Sequence, residues 1–212
     1  MPGSDLEQEL AASGYRAVCG VDEAGRGPLC GPVVAGAVIL PPGPLPLALT
    51  GLDDSKRLSR QRRELFAEAI RREAVAVAVG LAEPEEIDRL NIRRAALLAM
   101  SRAVVALHAP ADFVLVDGRD LPDNLPIPAR AVVRGDRISI SIAAASIIAK
   151  THRDGIMTRL ALRFPGYGWE ENAGYPTARH LQALRTLGVT EVHRRSFGPV
   201  AALLAGKDSG YV

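Results

Sequence analysis

The segment Val18–Pro28 restricts the fold of this chain more than any other stretch. Its short apolar run ends in two adjacent carboxylates, Asp22 and Glu23, and a Gly-Arg-Gly loop at 25–27 follows at once. Apolar runs with few polar interruptions are typical of buried strands, so both carboxylates lie where a strand leaves the core. Neighbouring strand residues point to opposite faces, and we expect a bend at 24–25 to bring the pair to one site. The glycines let the backbone approach a ligand closely, and an arginine suits phosphate.

Two further apolar segments end in a carboxylate in the same way. Asp117 follows the segment 113–116, and Asp136 follows the short segment 131–133. If the strands that precede Asp22 and Asp117 are parallel neighbours, their carboxyl ends meet at one edge of the sheet, where open α/β sheets bind ligands. These carboxylates and the pair at 22–23 would repel one another unless cations lie between them. The oxygen ligands favour Mg²⁺ or Mn²⁺, and two such ions can activate a water molecule and stabilise a leaving oxygen.

The composition and the order of predicted elements indicate one α/β domain. Of the 212 residues, 48% are hydrophobic but only 4% are aromatic, so aliphatic side chains must fill the core. A leading hairpin, followed by strands that alternate with helices, is typical of a mixed sheet. Strands are predicted at 18–22, 33–40, 75–79, 113–116 and 131–133. Helices are predicted at 60–72 after the N-cap Ser59, from Pro84, at 91–107, at 141–163, and after the N-cap Thr177 to about 187.

Charge, cysteine content and hydropathy indicate the kinds of partner and the cellular compartment to expect. The formal charge is only +2, so net charge alone does not require a polyanionic partner. Cys19 and Cys30 lie beside apolar residues without metal-ligand spacing, as expected of buried free thiols. The N-terminus does not have the pattern of a signal peptide, and the apolar run 33–40 is shorter than the roughly twenty residues of a membrane span. We expect a cytoplasmic protein that does not contact membranes.

Motifs along most of the chain resemble the ribonuclease HII family, the type 2 ribonucleases H. They begin with the acidic pair and Gly-Arg-Gly loop described above and continue in the family's order as far as Phe197. The further motifs are Asp54-Ser55-Lys56-Arg57-Leu58, Val116-Asp117-Gly118, Gly135-Asp136, Ala144-Ala145-Ser146-Ile147-Ile148-Ala149-Lys150 with Arg153-Asp154, Gly174-Tyr175-Pro176-Thr177 with His180, and His193-Arg194-Arg195-Ser196-Phe197.

The resemblance implies a ribonuclease H-like fold, with a five-stranded mixed sheet flanked by helices and a small C-terminal helical part. We predict a loose polar tail at 1–14, a catalytic domain at 15–200 that includes the helical part, and a second tail at 201–212. The implied protein is a monomer.

The resemblance also implies an endonuclease that hydrolyses the RNA strand of RNA–DNA hybrids. It would cut on the 5′ side of ribonucleotides embedded in duplex DNA, leaving a 3′-hydroxyl and a 5′-phosphate. Hybrids and ribonucleotide-containing DNA duplexes are thus the expected partners. Catalysis and binding of two Mn²⁺ or Mg²⁺ ions are assigned to Asp22, Glu23, Asp117 and Asp136.

Substrate recognition is assigned to residues on several motifs. The family senses the RNA–DNA junction with residues that correspond to Gly25, Arg26, Gly27 and Tyr175, because the 2′-hydroxyl distinguishes RNA from DNA. Phosphate contacts are predicted for Ser55, Lys56, Ser146, Lys150 and Arg153. One departure is Ala173, which stands where the family often has a lysine, so one phosphate contact is in doubt.

Two alternative functions remain at this stage. The chain could be another ribonuclease H-like nuclease without junction specificity, or a nucleic-acid binding module with a vestigial site. The Gly-Arg-Gly and Gly-Tyr-Pro-Thr motifs argue against the first alternative, and the four retained carboxylates argue against the second. Asp154 is predicted to pair with Lys150 and Arg153 at helical spacing rather than to bind metal. His180 and His193 are interpreted as structural or partly substrate-facing.

Overall fold

The apolar segments of the sequence form one five-stranded sheet with the order β3-β2-β1-β4-β5. In the computed structural model, which describes residues 2–123 and 125–206, β1 lies at the centre. It pairs antiparallel with β2 and parallel with β4. The strands are β1 (Val18–Ala24), β2 (Val33–Ile39), β3 (Ala76–Ala82), β4 (Phe113–Asp117) and β5 (Ala129–Val132). The predicted hairpin and mixed sheet are confirmed, and the parallel pairing of the first and fourth strands meets the condition for their carboxyl ends to share one edge.

Helices cover both faces of the sheet. They are α1 (Asp5–Ala12), α2 (Arg60–Glu73), α3 (Pro84–Leu90), α4 (Ile92–Val105), α5 (Ile140–Arg163), α6 (Trp169–Asn172), α7 (Ala178–Leu187) and α8 (Gly198–Leu204). Helices α3 and α4 pack on one face and α2 and α5 on the other. The predicted N-caps are confirmed, because Ser59 accepts from the Arg62 amide and Thr177 from the His180 amide.

Small residues bring α5 close to the two central strands. A Cβ atom on Gly20 would lie 2.1 Å from the Ser141 carbonyl carbon, and one on Gly36 would lie 2.5 Å from the Ala145 oxygen. Any larger side chain there would push the helix off the sheet. This contact fixes α5, which carries several predicted substrate residues, against the strand that carries the acidic pair.

The loose polar tail predicted at 1–14 is wrong, because most of this segment forms a helix that packs on the domain. Residues Asp5–Ala12 form α1, whose Leu10 side chain is buried. Glu7 anchors the helix, since its Oε1 atom accepts hydrogen bonds from the Ser139 and Ser141 hydroxyls. The helix is short and polar, so it depends on these tertiary contacts, which a sequence pattern does not reveal.

The tail predicted at 201–212 is also wrong in its first residues, which are helical. Helix α8 continues through Leu204 and buries Val200, so the chain is still helical beyond residue 200. The rest of that prediction, residues 207–212, lies outside the described residues. Within the described part of the chain, no helix is long and apolar enough to cross a membrane.

Candidate active site

Three carboxylates meet at the carboxyl edge of the central strands. One carboxylate oxygen from each of Asp22, Glu23 and Asp117 lies within 4.8 Å of the others. Asp22 and Glu23 belong to β1, and Asp117 is the last residue of β4. Because β1 and β4 are parallel and in register from Val18 to Val21, their next residues emerge side by side. The sequence-predicted convergence of Asp22 with Asp117 therefore follows from strand register.

The bend that we expected at 24–25 is present, and it follows the acidic pair. Asp22 and Glu23 remain in regular antiparallel pairing with β2, and the chain turns only at Gly25, where φ is 97°. The Asp22 carboxylate lies along the chain, and its Oδ1 accepts from the Glu23 amide at 2.7 Å. Asp117 is fixed in a similar way by the Gly135 amide, 2.6 Å from its Oδ1.

Asp136 borders the cluster. It lies on a short 3₁₀ turn, Gly135–Arg137, directly after β5, and its residue is 7% exposed. Its carboxylate interacts electrostatically with Asp117, and its amide hydrogen-bonds the Asp117 carboxylate. Asp136 thus stands beside the three convergent carboxylates, although it does not belong to the group whose oxygens lie within 4.8 Å.

The acidic groups perturb one another. Burial, followed by the charges of Glu23 and Asp117, raises the pKa of Asp22 well above its ordinary value, while the Ser146 hydroxyl acts in the opposite direction. Burial and Glu23 also raise the pKa of Asp117. Loss of hydration and repulsion between like charges both disfavour the ionised form. A cluster that is costly to ionise by itself is chemically suited to a bound cation.

The donor set fits a hard divalent cation. All three convergent ligands are carboxylate oxygens, which suit Mg²⁺ and Mn²⁺ rather than zinc or copper. The positive groups near them only partly balance the charge. Arg26 lies 3.3 Å from Glu23 but is largely exposed, and Lys56 lowers the pKa values of Asp117 and Asp136 from the solvent side.

The Gly-Arg-Gly loop follows the acidic pair and is held from behind by Arg194. This arginine is fully buried, and its guanidinium donates to the carbonyls of Gly25, Arg26 and Gly31 at 2.6, 3.1 and 2.9 Å. Burial lowers the pKa of Arg194 to about 9, with a smaller effect from Arg153. The loop carbonyls therefore point inward, and its conformation is fixed by the protein interior.

Tyr175 lies against this loop, as the sequence assignment requires. A Cβ atom on Gly27 would lie 3.2 Å from the Tyr175 ring, so ring and backbone are in close contact. The tyrosine residue remains 44% exposed. Its carbonyl oxygen contacts the His180 Nδ1 at 3.0 Å, and its amide donates to Asn172. An exposed aromatic ring thus stands beside a fixed glycine loop.

The predicted Ser55 and Ser146 meet behind the acidic cluster. Their hydroxyl oxygens are 2.9 Å apart, and both residues are buried. Lys56, the next residue, is exposed on the side of Asp117 and Asp136. Of these three residues, Lys56 is therefore the one with a side chain open to solvent.

Lys150 lies farther along α5 and pairs with Asp154 at 2.6 Å, as predicted. Arg63 also approaches Asp154, at 3.7 Å, and donates to the Ser55 and Leu58 carbonyls. The predicted pairing of Asp154 with Arg153 is not among these contacts.

The structure contradicts the assignment of Arg153 as a phosphate contact. Arg153 is only 1% exposed, and its guanidinium donates to the Pro32, Ala173 and Cys30 carbonyls at 3.0, 3.0 and 3.1 Å. Ala173 itself adopts a φ of 48° and gives its carbonyl to this arginine. We therefore assign Arg153 to the scaffold of the site. The sequence does not distinguish an arginine on the buried face of a helix from one on the exposed face.

Sequence reasoning missed the roles of Arg194 and Asp54, although both lie in the motifs quoted above. Asp54 is 1% exposed; its Oδ1 accepts from the Lys56 amide, and its other oxygen lies 3.4 Å from Arg137. It thereby shapes the turn that presents Lys56. For Asp54 the available signal was its position directly before the predicted site residue Ser55, and for Arg194 it was membership of the motif at 193–197.

Cys30, His180 and His193 form a second, fully buried group whose ligand atoms lie within 4.8 Å of one another. The ring nitrogens are already engaged. The Trp169 indole donates to His180 Nε2, which lies 3.2 Å from His193 Nε2, and Thr190 donates its amide to His193 Nδ1. Burial lowers the pKa of both histidines, that of His193 to about 4. This supports the structural interpretation of the two histidines.

Comparison with known proteins agrees with the geometry. A family model described as Ribonuclease HII matches residues 19–200. The chain is 55% identical over 203 residues to a protein named Ribonuclease HII from Ruegeria pomeroyi, with 96% of this chain and 85% of that protein covered.

Solved structures show the same fold. The ribonuclease H2 from Pyrococcus horikoshii OT3 matches with a TM-score of 0.73 and 26% identity, over 89% of this chain and 97% of that one. The structure of a PCNA:RNase HII complex from Archaeoglobus fulgidus matches with a TM-score of 0.71 and 27% identity, over 86% of this chain and 95% of that one. These similarities confirm the predicted family resemblance and the ribonuclease H-like fold.

Proposed function

This chain belongs to the ribonuclease HII family and is a ribonuclease H that hydrolyses RNA in RNA–DNA hybrids, and we propose that it also cuts at single ribonucleotides within duplex DNA. Cleavage on the 5′ side of the ribonucleotide would leave a 3′-hydroxyl and a 5′-phosphate. The observation that carries the proposal is the position of the three convergent carboxylates directly before a fixed Gly-Arg-Gly loop that contacts Tyr175.

The proposed cofactor is a pair of Mg²⁺ or Mn²⁺ ions. Asp22, Glu23 and Asp117 supply the convergent oxygens, and we assign Asp136 to the same site because it borders Asp117. Bound ions of this kind activate a water molecule and stabilise the charge on the leaving oxygen. These residues must be ionised to bind a cation, so the raised pKa values of Asp22, Asp117 and Asp136 make cation binding compete with protons.

The protein contributes a fixed arrangement of ligands. The Asp22 carboxylate is held by the Glu23 amide and that of Asp117 by the Gly135 amide. These hydrogen bonds leave little conformational freedom to lose when substrate binds, which is how positioned groups lower a barrier. Lys56 faces the same edge and is placed to bind a phosphate near the reacting bond.

Recognition of the ribonucleotide is assigned to Gly25, Arg26, Gly27 and Tyr175. Gly27 lacks a side chain where the Tyr175 ring approaches, so a sugar can reach the loop amides. Arg194 holds the loop carbonyls inward, which leaves the opposite side of each peptide for a ligand. The exposed ring of Tyr175 can pack on the neighbouring sugar, and a 2′-hydroxyl can bond to the loop.

Phosphate contacts are proposed for Arg26, Lys56 and Lys150, which have solvent-accessible cationic groups. The buried hydroxyls of Ser55 and Ser146 would contribute by supporting Asp22 and the Lys56 turn, or by contacting a phosphate that reaches them. We further propose that the protein is a cytoplasmic monomer and that residues 15–200 hold its catalytic domain.

A substitution of Tyr175 tests junction recognition. Tyr175→Ala touches no carboxylate, so it retains metal binding. It loses much of its rate on a duplex with one embedded ribonucleotide, and less on a long RNA–DNA hybrid, because one stacked contact worth about 1–3 kcal/mol acts only where its partner sugar exists. Single-turnover rates on both substrates measure the two losses.

Tyr175→Phe is the matched control, since it keeps the ring and removes only the hydroxyl. If stacking is the main contact, this variant retains most of the junction rate. Equal fractional losses on both substrates by Tyr175→Ala would favour a ribonuclease H-like nuclease without junction specificity. Absence of metal-dependent cleavage in the wild-type protein would favour a nucleic-acid binding module.

A further inference from the structure

A shallow groove leads away from the acidic cluster on the side of α4. It begins at Glu23 and Asp117 and continues between the N-terminal half of α4 and the residues that follow β4. Three of the residues lining it are arginines from three separate elements: Arg26, Arg93 and Arg119. None of the assignments above uses Arg93 or Arg119.

One carboxylate of the groove, that of Asp120, makes a two-point contact with Arg93. Asp120 Oδ2 accepts from Arg93 Nε at 2.8 Å, and its Oδ1 accepts from the terminal nitrogen of Arg93 at 2.5 Å. The hydrogen bond and charge of Arg93 lower the pKa of Asp120, and Arg26 and Arg119 act in the same direction. Asp120 is therefore paired with Arg93 and feels the charges of Arg26 and Arg119, while Arg26 itself contacts Glu23 at 3.3 Å.

We propose that Arg93 and Arg119 form, with Arg26, a subsite for a backbone phosphate of the bound nucleic acid, and that the Asp120 carboxylate occupies this subsite until the phosphate displaces it. The inference rests on the proposed function, because the phosphate belongs to the substrate duplex as it extends from the acidic cluster.

The geometry supports exchange of one anion for the other. A guanidinium binds a carboxylate or a phosphate through the same two parallel N–H groups, so the contact made by Asp120 reproduces what a phosphate would make. The side chains of Arg93 and Asp120 are 67% and 38% exposed, and exposed ion pairs of this kind contribute little stability. A phosphate, whose oxygens match the same guanidinium donors, therefore competes effectively with the weakly held Asp120 carboxylate.

The proposed subsite predicts that two substitutions change nucleic-acid affinity in opposite directions. Asp120→Asn keeps the side-chain size but removes the competing charge, and we expect it to tighten binding about two- to five-fold. Arg93→Ala removes a phosphate ligand, so it weakens binding and reduces the slope of log affinity against log salt by about 0.9. Fluorescence anisotropy of a labelled RNA–DNA hybrid, measured over a salt series with chelator present to prevent cleavage, gives both quantities.

The chain offers a matched control pair on another surface. Arg130 and Glu9 also form an exposed two-point ion pair, with nitrogen–oxygen distances of 3.0 and 3.4 Å. Arg130 lies over Phe113, at the opposite end of β4 from Asp117, so roughly 13 Å of strand separates the two regions. Glu9→Gln and Arg130→Ala should leave the salt slope unchanged. Arg94→Ala, beside Arg93 on α4 but outside the groove lining, should also have little effect.

The direction in which each variant changes nucleic-acid affinity tests the proposed subsite. Tighter binding by Asp120→Asn together with weaker binding by Arg93→Ala supports the subsite. Weaker binding by both variants would show that the pair is a structural clamp, and wild-type affinity in both would show that the groove does not contact the duplex; either result overturns the inference while the proposed function stands. Failure of the wild-type protein to bind and cleave the hybrid would overturn both.

Discussion

The acidic cluster and the arginines behind the Gly-Arg-Gly loop bury charge in opposite ways. At the cluster, Asp22, Glu23 and Asp117 face one another with only partial compensation by exposed cations. Behind the loop, Arg153 and Arg194 are buried more deeply, and their guanidinium groups donate to six backbone carbonyls. A buried polar group with all its hydrogen-bond partners stabilises one conformation. Crowded carboxylates without compensating cations favour binding of a cation.

This difference assigns a structural role to the buried arginines and a catalytic role to the carboxylates. The arginines fix the loop that contacts Tyr175, so their removal should cost stability first. The carboxylates repel one another, so removal of one of them should cost activity without costing stability. Each variant below tests whether the two regions divide stability and activity in this way.

The largest effect is expected at the cluster. Asp117→Asn preserves the size of the side chain but removes a charge that would hold a cation, so we expect cleavage of an RNA–DNA hybrid to fall by about 10³-fold or more. The metal-free variant should unfold at the same temperature as the wild type or higher, because repulsion is relieved. Glu9→Gln, which alters an exposed carboxylate paired with Arg130 on another surface, is the control and should stay within a few-fold of the wild-type rate. Near wild-type turnover by Asp117→Asn would remove Asp117 from the catalytic group.

A smaller but still large effect is expected at the buried arginine. Arg194→Ala leaves the Gly25, Arg26 and Gly31 carbonyls without their donor, and we expect the free energy of unfolding to fall by about 3–5 kcal/mol. Arg194→Lys should rescue only part of this loss, since an ammonium cannot match the planar set of donors. Arg195→Ala, at the exposed neighbouring position, should change stability little. Urea unfolding of the three variants provides the comparison, and equal stability of Arg194→Ala and Arg195→Ala would contradict the scaffold role.

The two regions should also respond differently to pH. In the metal-free protein the raised pKa of Asp22 means that the folded state retains a proton that the unfolded chain has released. Stability therefore decreases as pH rises from the ordinary value of 3.8 through the raised pKa. Asp22→Asn should gain stability relative to wild type over that interval, because its amide has no charged form to bury.

The buried His193 acts with the opposite sign. Because burial lowers its pKa from 6.5 to about 4, the unfolded chain binds a proton that the folded state does not, and stability is lost as pH falls from 6.5 toward 4. Thermal unfolding with chelator present, followed from pH 4 to pH 8, measures both trends. A constant difference between Asp22→Asn and wild type at every pH would show that the Asp22 carboxyl is not perturbed.

Much of the sheet and of the acidic cluster could be predicted because strand periodicity and the resemblance to the ribonuclease HII family agree. Asp22 and Asp117 each end an apolar run, and parallel pairing then brings them together. The turn that carries Asp136 was also placed correctly after β5. The bend at 24–25 was also predicted, and the chain turns at Gly25, after the acidic pair has completed its regular pairing with β2.

The remaining errors concern contacts between distant segments. Arg153 looks like a phosphate ligand in the sequence, but the carbonyls that bind it belong to residues more than a hundred positions away or to the left-handed Ala173. Helix α1 was missed because its stability depends on Glu7 reaching Ser139. Sequence patterns report local periodicity, and neither of these contacts has a local signature.

The most direct test of the account is the change in thermal unfolding temperature when Mn²⁺ is added to the metal-free protein. A ligand that binds only the folded state stabilises it by mass action. We predict that Mn²⁺ raises the unfolding temperature of the wild type and of Arg195→Ala by the same amount, and that of Asp117→Asn much less. Equal shifts in all three proteins would contradict the claim that the crowded carboxylates form the cation site.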